Sequence, residues 1–268
     1  MRKYCYLFSK LGYNINIGDD FLSIFKTKAM VLKTQDFKEN DKLLWLFTDK
    51  LGKVSAIAKG AKKNKSKFFA STQSFCFGEY VLYRGKNLYT INEVEITDSF
   101  QSLLNDLDTI TYGSYFCELI LIALQEEESN RELFQDFIKS FYLMKNNAAD
   151  LEILARALEL KLLRSTGYGF EFENCSICGN KINKSNYLSI QYHGGTCNEC
   201  NKVNGISISY GAYNVLKFLD RSLIENIPRI SLSDDLKKEV YKILNIFISQ
   251  NYSRQPKSLE IFNYIKKE

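Results

Sequence analysis

An α+β chain in two parts is the fold that this sequence predicts. A small N-terminal β-barrel comes first, and an all-α helical domain with an inserted four-cysteine zinc motif follows. Three observations predict it. Short strand-like segments crowd the stretch from Met30 to about residue 96. After Phe100 the apolar period changes from two to three and four. Two C-x-x-C pairs then interrupt the helical half.

The barrel strands are legible one by one. Met30-Val31-Leu32 opens the first, and Leu43 to Thr48 gives the second. The turn Asp49-Lys50-Leu51-Gly52 leads into Lys53 to Ala58, where Val54, Ala56 and Ala58 alternate with Lys53, Ser55 and Ile57. Phe75 to Tyr83 and Leu88 to Ile96 complete the set, joined by Arg84-Gly85-Lys86-Asn87. Closing such short strands into a barrel removes their exposed edges. The domain is expected to span residues 29–105. Residues 1–28 read either as a non-essential extension or start-site artefact, or as an extra strand and helix docked on the core.

Beyond Phe100 a stripe of Leu103, Leu107, Ile110, Phe116, Leu119, Ile120 and Leu124 predicts a helix. Further helices are expected over 132–145, 150–165, 212–219, 233–248 and 258–265, within a domain of 106–268. Gly167-Tyr168-Gly169 stops the third, and Ser233 before Asp234 and Asp235 supplies a cap oxygen and negative charge. Glu126-Glu127-Glu128 reads as an exposed helix end.

Composition excludes several classes. The chain of 268 residues is 45% hydrophobic with only 2 Pro, which is the make-up of a folded domain rather than a disordered one. The longest apolar run, Leu119 to Leu124, is far short of the roughly 20 residues of a membrane span. Arg2 and Lys3 precede only the short apolar stretch Tyr4 to Phe8, so no secretory signal is predicted and the expected location is cytoplasmic. The net charge of +5 is unevenly spread: residues 29–105 carry 12 basic and 8 acidic side chains, whereas 106–268 carry 19 and 21. One half suits a polyanion and the other suits protein.

Cys175-Ser176-Ile177-Cys178 and Cys197-Asn198-Glu199-Cys200 have metal-knuckle spacing, within an insert of about 171–206. Each two-residue gap lets both thiolates turn onto one ion, and Gly179 tolerates the positive φ of a tight knuckle. Zinc with four sulfur ligands keeps no open position, which predicts a structural role. His193 is expected to be a surface residue, and Cys5, Cys76 and Cys117 apolar fillers.

The other notable motif is Lys59-Gly60-Ala61-Lys62-Lys63-Asn64-Lys65-Ser66-Lys67, five lysines without an acid, followed by Phe68 and Phe69. Two readings stand side by side. The run is a solvated loop, or its ammonium groups hold phosphates while the aromatics stack on unpaired bases. Lys42 and Lys53 extend such a patch. Phe75, Phe77, Tyr80, Tyr83 and Tyr89 read as core or barrel surface. A single histidine and the lack of a G-x-x-x-x-G-K-[ST] loop argue against an enzyme.

The order of these motifs resembles the RecO family of bacterial DNA repair proteins. The resemblance rests on Met30-Val31-Leu32-Lys33-Thr34, Glu39-Asn40-Asp41-Lys42-Leu43-Leu44, Ala58-Lys59-Gly60-Ala61-Lys62-Lys63 and Leu82-Tyr83-Arg84-Gly85. In the helical half it rests on Leu158 to Leu163, Gly167-Tyr168 and both cysteine knuckles. It implies an N-terminal OB-fold and a non-enzymatic, nucleoid-associated recombination mediator with a zinc-binding insert. Proteins similar to this bind single- and double-stranded DNA and anneal complementary strands. With RecR they help load RecA onto DNA coated by single-strand-binding protein. The resemblance carries the family's basic loop onto Lys59, Lys62, Lys63, Lys65 and Lys67, and its zinc ligands onto Cys175, Cys178, Cys197 and Cys200. Family members typically place arginines where this loop has lysines, which contact phosphate as point charges without the bidentate fork. The competing reading is a zinc-ribbon and OB-fold adaptor in RNA metabolism or transcription.

Overall fold

The computed structural model describes residues 24–254 and 256–258. Five antiparallel or parallel-paired strands close into a barrel: β1 (Ile24–Phe37), β2 (Asp41–Thr48), β3 (Gly52–Ala58), β4 (Phe77–Arg84) and β5 (Tyr89–Asp98). Their order around the barrel is β1-β2-β3-β5-β4, and a short parallel pairing of Ala56 with Tyr89 joins β3 to β5. This is the five-stranded, OB-like arrangement that the sequence predicts.

β1 begins six residues before Met30, so part of the stretch expected to be extension is barrel. Ile24 to Met30 pair with β4, and Ala29 to Phe37 pair with β2. A bulge between Val31 and Lys33 bends the strand where it passes from one partner to the other. Thr27 turns inward there and its hydroxyl donates to Asp49 Oδ1 at 2.6 Å. The readings for residues 1–23, and for the helix over 258–265 beyond Ser258, lie outside the described residues.

Two cores form because successive strand residues face opposite sides of the barrel wall, one toward its interior and the other toward the helices. Val31, Leu44, Leu46, Val54, Ala56, Tyr80 and Ile91 fill the barrel itself. Met30, Phe47, Phe75 and Phe77 instead join the helical core. Phe47 meets Phe134 and Phe137 edge-on at 5.2 and 5.5 Å, and Phe75 meets Phe141 at 5.4 Å. Such pairs stabilise by about 0.5–1.5 kcal/mol each beyond their buried area.

The helices are α1 (Leu107–Ala123), α2 (Arg131–Lys145), α3 (Leu151–Ser165), α4 (Tyr210–Arg221) and α5 (Asp234–Asn251). Asp106, Asn130, Asp150 and Ser209 cap the first four, each accepting from a backbone N–H in the first turn. Ser233 corrects its expectation: it holds the cap position of α5, but its hydroxyl makes no cap bond. No described helix is long and apolar enough to cross a membrane.

α3 is the axis of the helical part, with apolar residues buried on nearly every side. That leaves Arg156 and Glu159 in the interior, 2.6 Å apart, with side chains 5% and 0% exposed. The Tyr115 hydroxyl also donates to Glu159, and the guanidinium lies 4.8 Å from the Tyr241 ring centre. Burial pushes the Glu159 carboxyl up, and the Arg156 charge and the Tyr115 hydrogen bond oppose that shift. Glu159→Gln strands a buried guanidinium, so we expect a loss of about 3–5 kcal/mol in urea unfolding. Arg156→Met combined with Glu159→Leu is expected to recover most of it, because the pair's desolvation cost disappears with the pair.

Candidate nucleic-acid interface and metal centre

The lysine run follows β3 and crosses one end of the barrel. Its backbone is pinned rather than loose. Ala61 and Phe68 sink into the barrel core. Gly60 N–H donates to Asp41 Oδ1 at 2.8 Å, and Lys62 N–H donates to the Asn40 carbonyl at 3.0 Å. Gly60 has φ +69°, a value that glycine adopts without strain. Successive turns, Lys63 to Gly60, Ser66 to Lys63 and Phe69 to Ser66, carry the chain into a short 3-10 turn at Ala70–Thr72.

The seven candidate lysines have different fates. Lys59, Lys63 and Lys65 are exposed, and among the described residues their ammonium groups have no carboxylate partner. Lys62 reaches Asp36 at 2.8 Å, and its hydrogen bond holds the Asp36 carboxyl below its usual value. Lys67 donates to the Asn92 carbonyl at 3.2 Å and stands 4.9 Å from the Phe68 ring centre. Lys42 lies at the foot of the loop, paired in register with Ala58. Lys53 is a correction. It sits at the far end of β3, where its ammonium donates to the Leu121 carbonyl at 2.9 Å, and burial pulls its pKa down. It caps α1 and does not belong to the patch.

Sequence reasoning missed Lys38, an exposed residue on the turn between β1 and β2. Its signal was indirect: the bond from Lys62 N–H to Asn40 O brings that turn beside the run. Of the aromatics, Phe75, Phe77, Tyr80 and Tyr89 are core, Phe68 is buried, and Phe69 is 65% exposed.

The acidic triplet also differs from its expectation. Glu126 to Glu128 are not a free helix end but a strap along β3. Glu127 N–H donates to the Lys53 carbonyl at 2.8 Å, and its carboxylate accepts from Arg84 at 2.8 Å and Tyr89 at 3.0 Å. Burial, helped by Glu127, pushes the Tyr89 hydroxyl up to about 12. A Cβ on Gly52 would lie 2.0 Å from the Glu128 carbonyl, so only glycine admits the strap. These acids thus lie along β3 and beside the β4–β5 hairpin, where Glu127 pairs with Arg84.

The four paired cysteines converge. Cys175 and Cys200 sulfurs lie 3.9 Å apart, Cys178 and Cys197 sulfurs 3.8 Å, and all four fall within 4.8 Å of one another. A disulfide would bring two sulfurs to about 2.0 Å. A tetrahedral zinc at about 2.3 Å from each sulfur requires separations near 3.8 Å, so the set fits zinc. Gly179 takes φ +76° and donates to the Cys175 carbonyl at 2.9 Å, which closes the first knuckle. The Cys197 N–H donates to Cys175 Sγ at 3.3 Å. Burial opposes ionisation of Cys175, but such N–H groups prevail and bring its thiol down to about 6. Sulfur neighbours Cys178 and Cys197 push the Cys200 thiol up to about 12. Thiolates so opposed are reconciled by a divalent cation between them.

This centre is tied to the bundle. A sheet of β6 (Tyr187–Ser189), β7 (Gly194–Gly195) and β8 (Gly205–Ser207) supports it, in the order β7-β6-β8. Tyr213 of α4 donates to the Phe172 carbonyl at 2.8 Å, and Phe170 meets Phe247 of α5 at 4.6 Å. His193 is half-buried rather than a plain surface residue. Its ring lies 5.7 Å from Tyr168 and 5.4 Å from Phe247, and it is not part of the cysteine cluster. Cys76 and Cys117 are buried fillers as expected, and Cys5 lies outside the described residues.

Comparisons with known proteins agree with this architecture. The family models described as Recombination protein O N terminal and Recombination protein O C terminal match residues 22–100 and 104–260. The chain is 73% identical over 251 residues to the DNA repair protein RecO of Clostridium novyi, covering 94% of this chain and 98% of that one. It is 55% identical to the protein of the same name from Clostridium kluyveri, covering 91% of this chain and 95% of that one. The corresponding protein of Alkaliphilus metalliredigens is 32% identical, covering 86% and 95%.

Proposed function

The chain belongs to the RecO family of DNA repair proteins, and on that premise we propose that it is a recombination mediator that binds DNA through the lysine loop. It takes single- and double-stranded DNA, anneals complementary strands, and works with RecR to pass DNA coated by single-strand-binding protein to RecA. The observation that carries this reading is the pinned loop on which, among the described residues, Lys59, Lys63 and Lys65 have no carboxylate partner.

Annealing needs no nucleotide motor. Two phosphate chains repel, and ammonium groups along one strand replace its condensed counterions while leaving the bases free to pair. Base pairing then supplies the free energy. Lysine suits this task because a point charge holds phosphate without committing to a base. Zinc, held by Cys175, Cys178, Cys197 and Cys200, supplies a rigid clasp and no chemistry, because four sulfurs fill its coordination shell. The protein acts as a binding protein at the nucleoid in the cytoplasm.

Annealing of two complementary labelled oligonucleotides tests the reading. With no nucleotide triphosphate present, the protein is expected to speed pairing at low salt and lose that effect as salt rises. Tighter binding to RNA without any annealing would favour the adaptor reading instead.

A further inference from the structure

The four clustered cysteines do not share one environment. Cys178 is exposed, Cys197 and Cys200 are half-buried, and Cys175 is buried with 2% of its surface in water. The approach to Cys178 is open: its neighbour Ile177 is 42% exposed, and a Cβ built on Gly179 would meet no atom within 4 Å. Across the two knuckles, Cys178 Sγ stands 3.8 Å from Cys197 Sγ, and a disulfide needs about 2.0 Å. A small turn of the two side chains closes that gap. Cys175, the other sulfur of the first knuckle, is less free to move, because it is buried and accepts the Cys197 N–H at 3.3 Å. Cys76 and Cys117 lie in the barrel and helical cores, so among the described residues the cluster pairs only within itself.

We propose that the cluster is a peroxide-responsive modification site, oxidised first at Cys178 and closed by a disulfide from Cys178 to Cys197. The proposal rests on the zinc reading of the cluster, in which the bound sulfurs are thiolates, the reactive form. The Cys178 thiolate attacks one oxygen of hydrogen peroxide and the O–O bond breaks. The leaving hydroxide takes a proton from solvent and becomes water, and Cys178 is now a sulfenic acid. The Cys197 thiolate attacks that sulfur, the S–S bond forms, and the S–O bond breaks. A second hydroxide leaves and is protonated in the same way. Two thiolates have together given up two electrons, and one peroxide has become two waters. Only Cys175 and Cys200 remain to hold the metal, half of its four-sulfur shell, so it is released. The contacts of Phe170 with Phe247 and of Tyr213 with the Phe172 carbonyl do not involve the metal, and they keep the insert on the bundle for its return.

Hydrogen peroxide titrated into the purified, zinc-bound full chain tests the proposal, with a chromogenic chelator reading the metal released. About one zinc per chain is expected to appear as about two thiols are lost. Trypsin then separates the possible pairings. It cuts after Lys181 and Lys184, which leaves Cys175 and Cys178 on one peptide and Cys197 and Cys200 on another. The two peptides are expected to be joined through Cys178 and Cys197 before reduction and apart after it. The melting temperature is expected to fall as it does on chelation and to recover with a reductant and added zinc. Disulfides confined within each knuckle overturn the proposal, as does a bond to any other cysteine. Zinc that stays bound in excess peroxide, with the thiols intact, overturns it while leaving the metal centre standing. Protein that holds no zinc when purified removes the metal centre itself, and the proposal with it.

Discussion

Lys62, Lys63 and Lys65 changed together to Glu are expected to lower single-stranded DNA affinity about fiftyfold or more at physiological salt. The figure follows from counterion release: each lost phosphate contact on a single strand removes roughly 0.7 of a log unit per decade of salt below 1 M. Three contacts at about 0.15 M amount to nearly two log units before any repulsion from the new carboxylates is counted. Fluorescence anisotropy with a labelled oligonucleotide reads the effect. Folding is not expected to suffer. Among the described residues Lys63 and Lys65 have no ionic partner to lose, and the Lys62–Asp36 pair is exposed, where solvent screening leaves an ion pair little net effect on stability. Lys53→Gln makes the contrast. Its ammonium is committed to the Leu121 carbonyl, so the change should reduce stability and leave the salt dependence of DNA binding as it was.

Removal of the metal gives the second large effect, of a different kind. Structural zinc in peptides contributes about 10–16 kcal/mol of apparent folding free energy, because the site does not exist in the unfolded chain. Here the insert also packs on α4 and α5 through Phe170, Phe172 and Tyr213, which retains part of its order. Cys175→Ser with Cys178→Ser, or a strong chelator, is accordingly expected to lower the melting temperature by about 10 °C or more. Purified protein should hold one zinc per chain by metal analysis. DNA affinity at low temperature should change little, because the barrel has a core of its own beneath the lysine loop. A melting temperature indifferent to chelation, in protein that contains no zinc, contradicts the structural role.

The features that were legible in the sequence are those set by neighbours along the chain. Alternation in Lys53 to Ala58 marks β3 because successive side chains point to opposite faces. The cysteine pairs are legible because a knuckle is a local turn, and Gly179 stands where that turn needs positive φ. The early start of β1 was hidden by chemistry: a polar residue, Thr27, fills an inward position, its hydroxyl satisfied by Asp49. Lys53 and the Glu126–Glu128 strap were hidden by distance. Their partners are α1 carbonyls and barrel side chains far away in sequence, and no local pattern records such a meeting. The same holds for Lys38, which joins the loop only through a backbone bond between two turns.

Affinity for single-stranded DNA across a salt series, measured side by side for wild type and the Lys62, Lys63, Lys65 triple Glu variant, tests the central claim most directly. Phosphate binding by the loop predicts a wild-type log–log slope of about −2 to −4, flattened by about 2 in the variant. Two parallel lines, or a wild-type slope near zero, would show that DNA is held elsewhere or not by these charges.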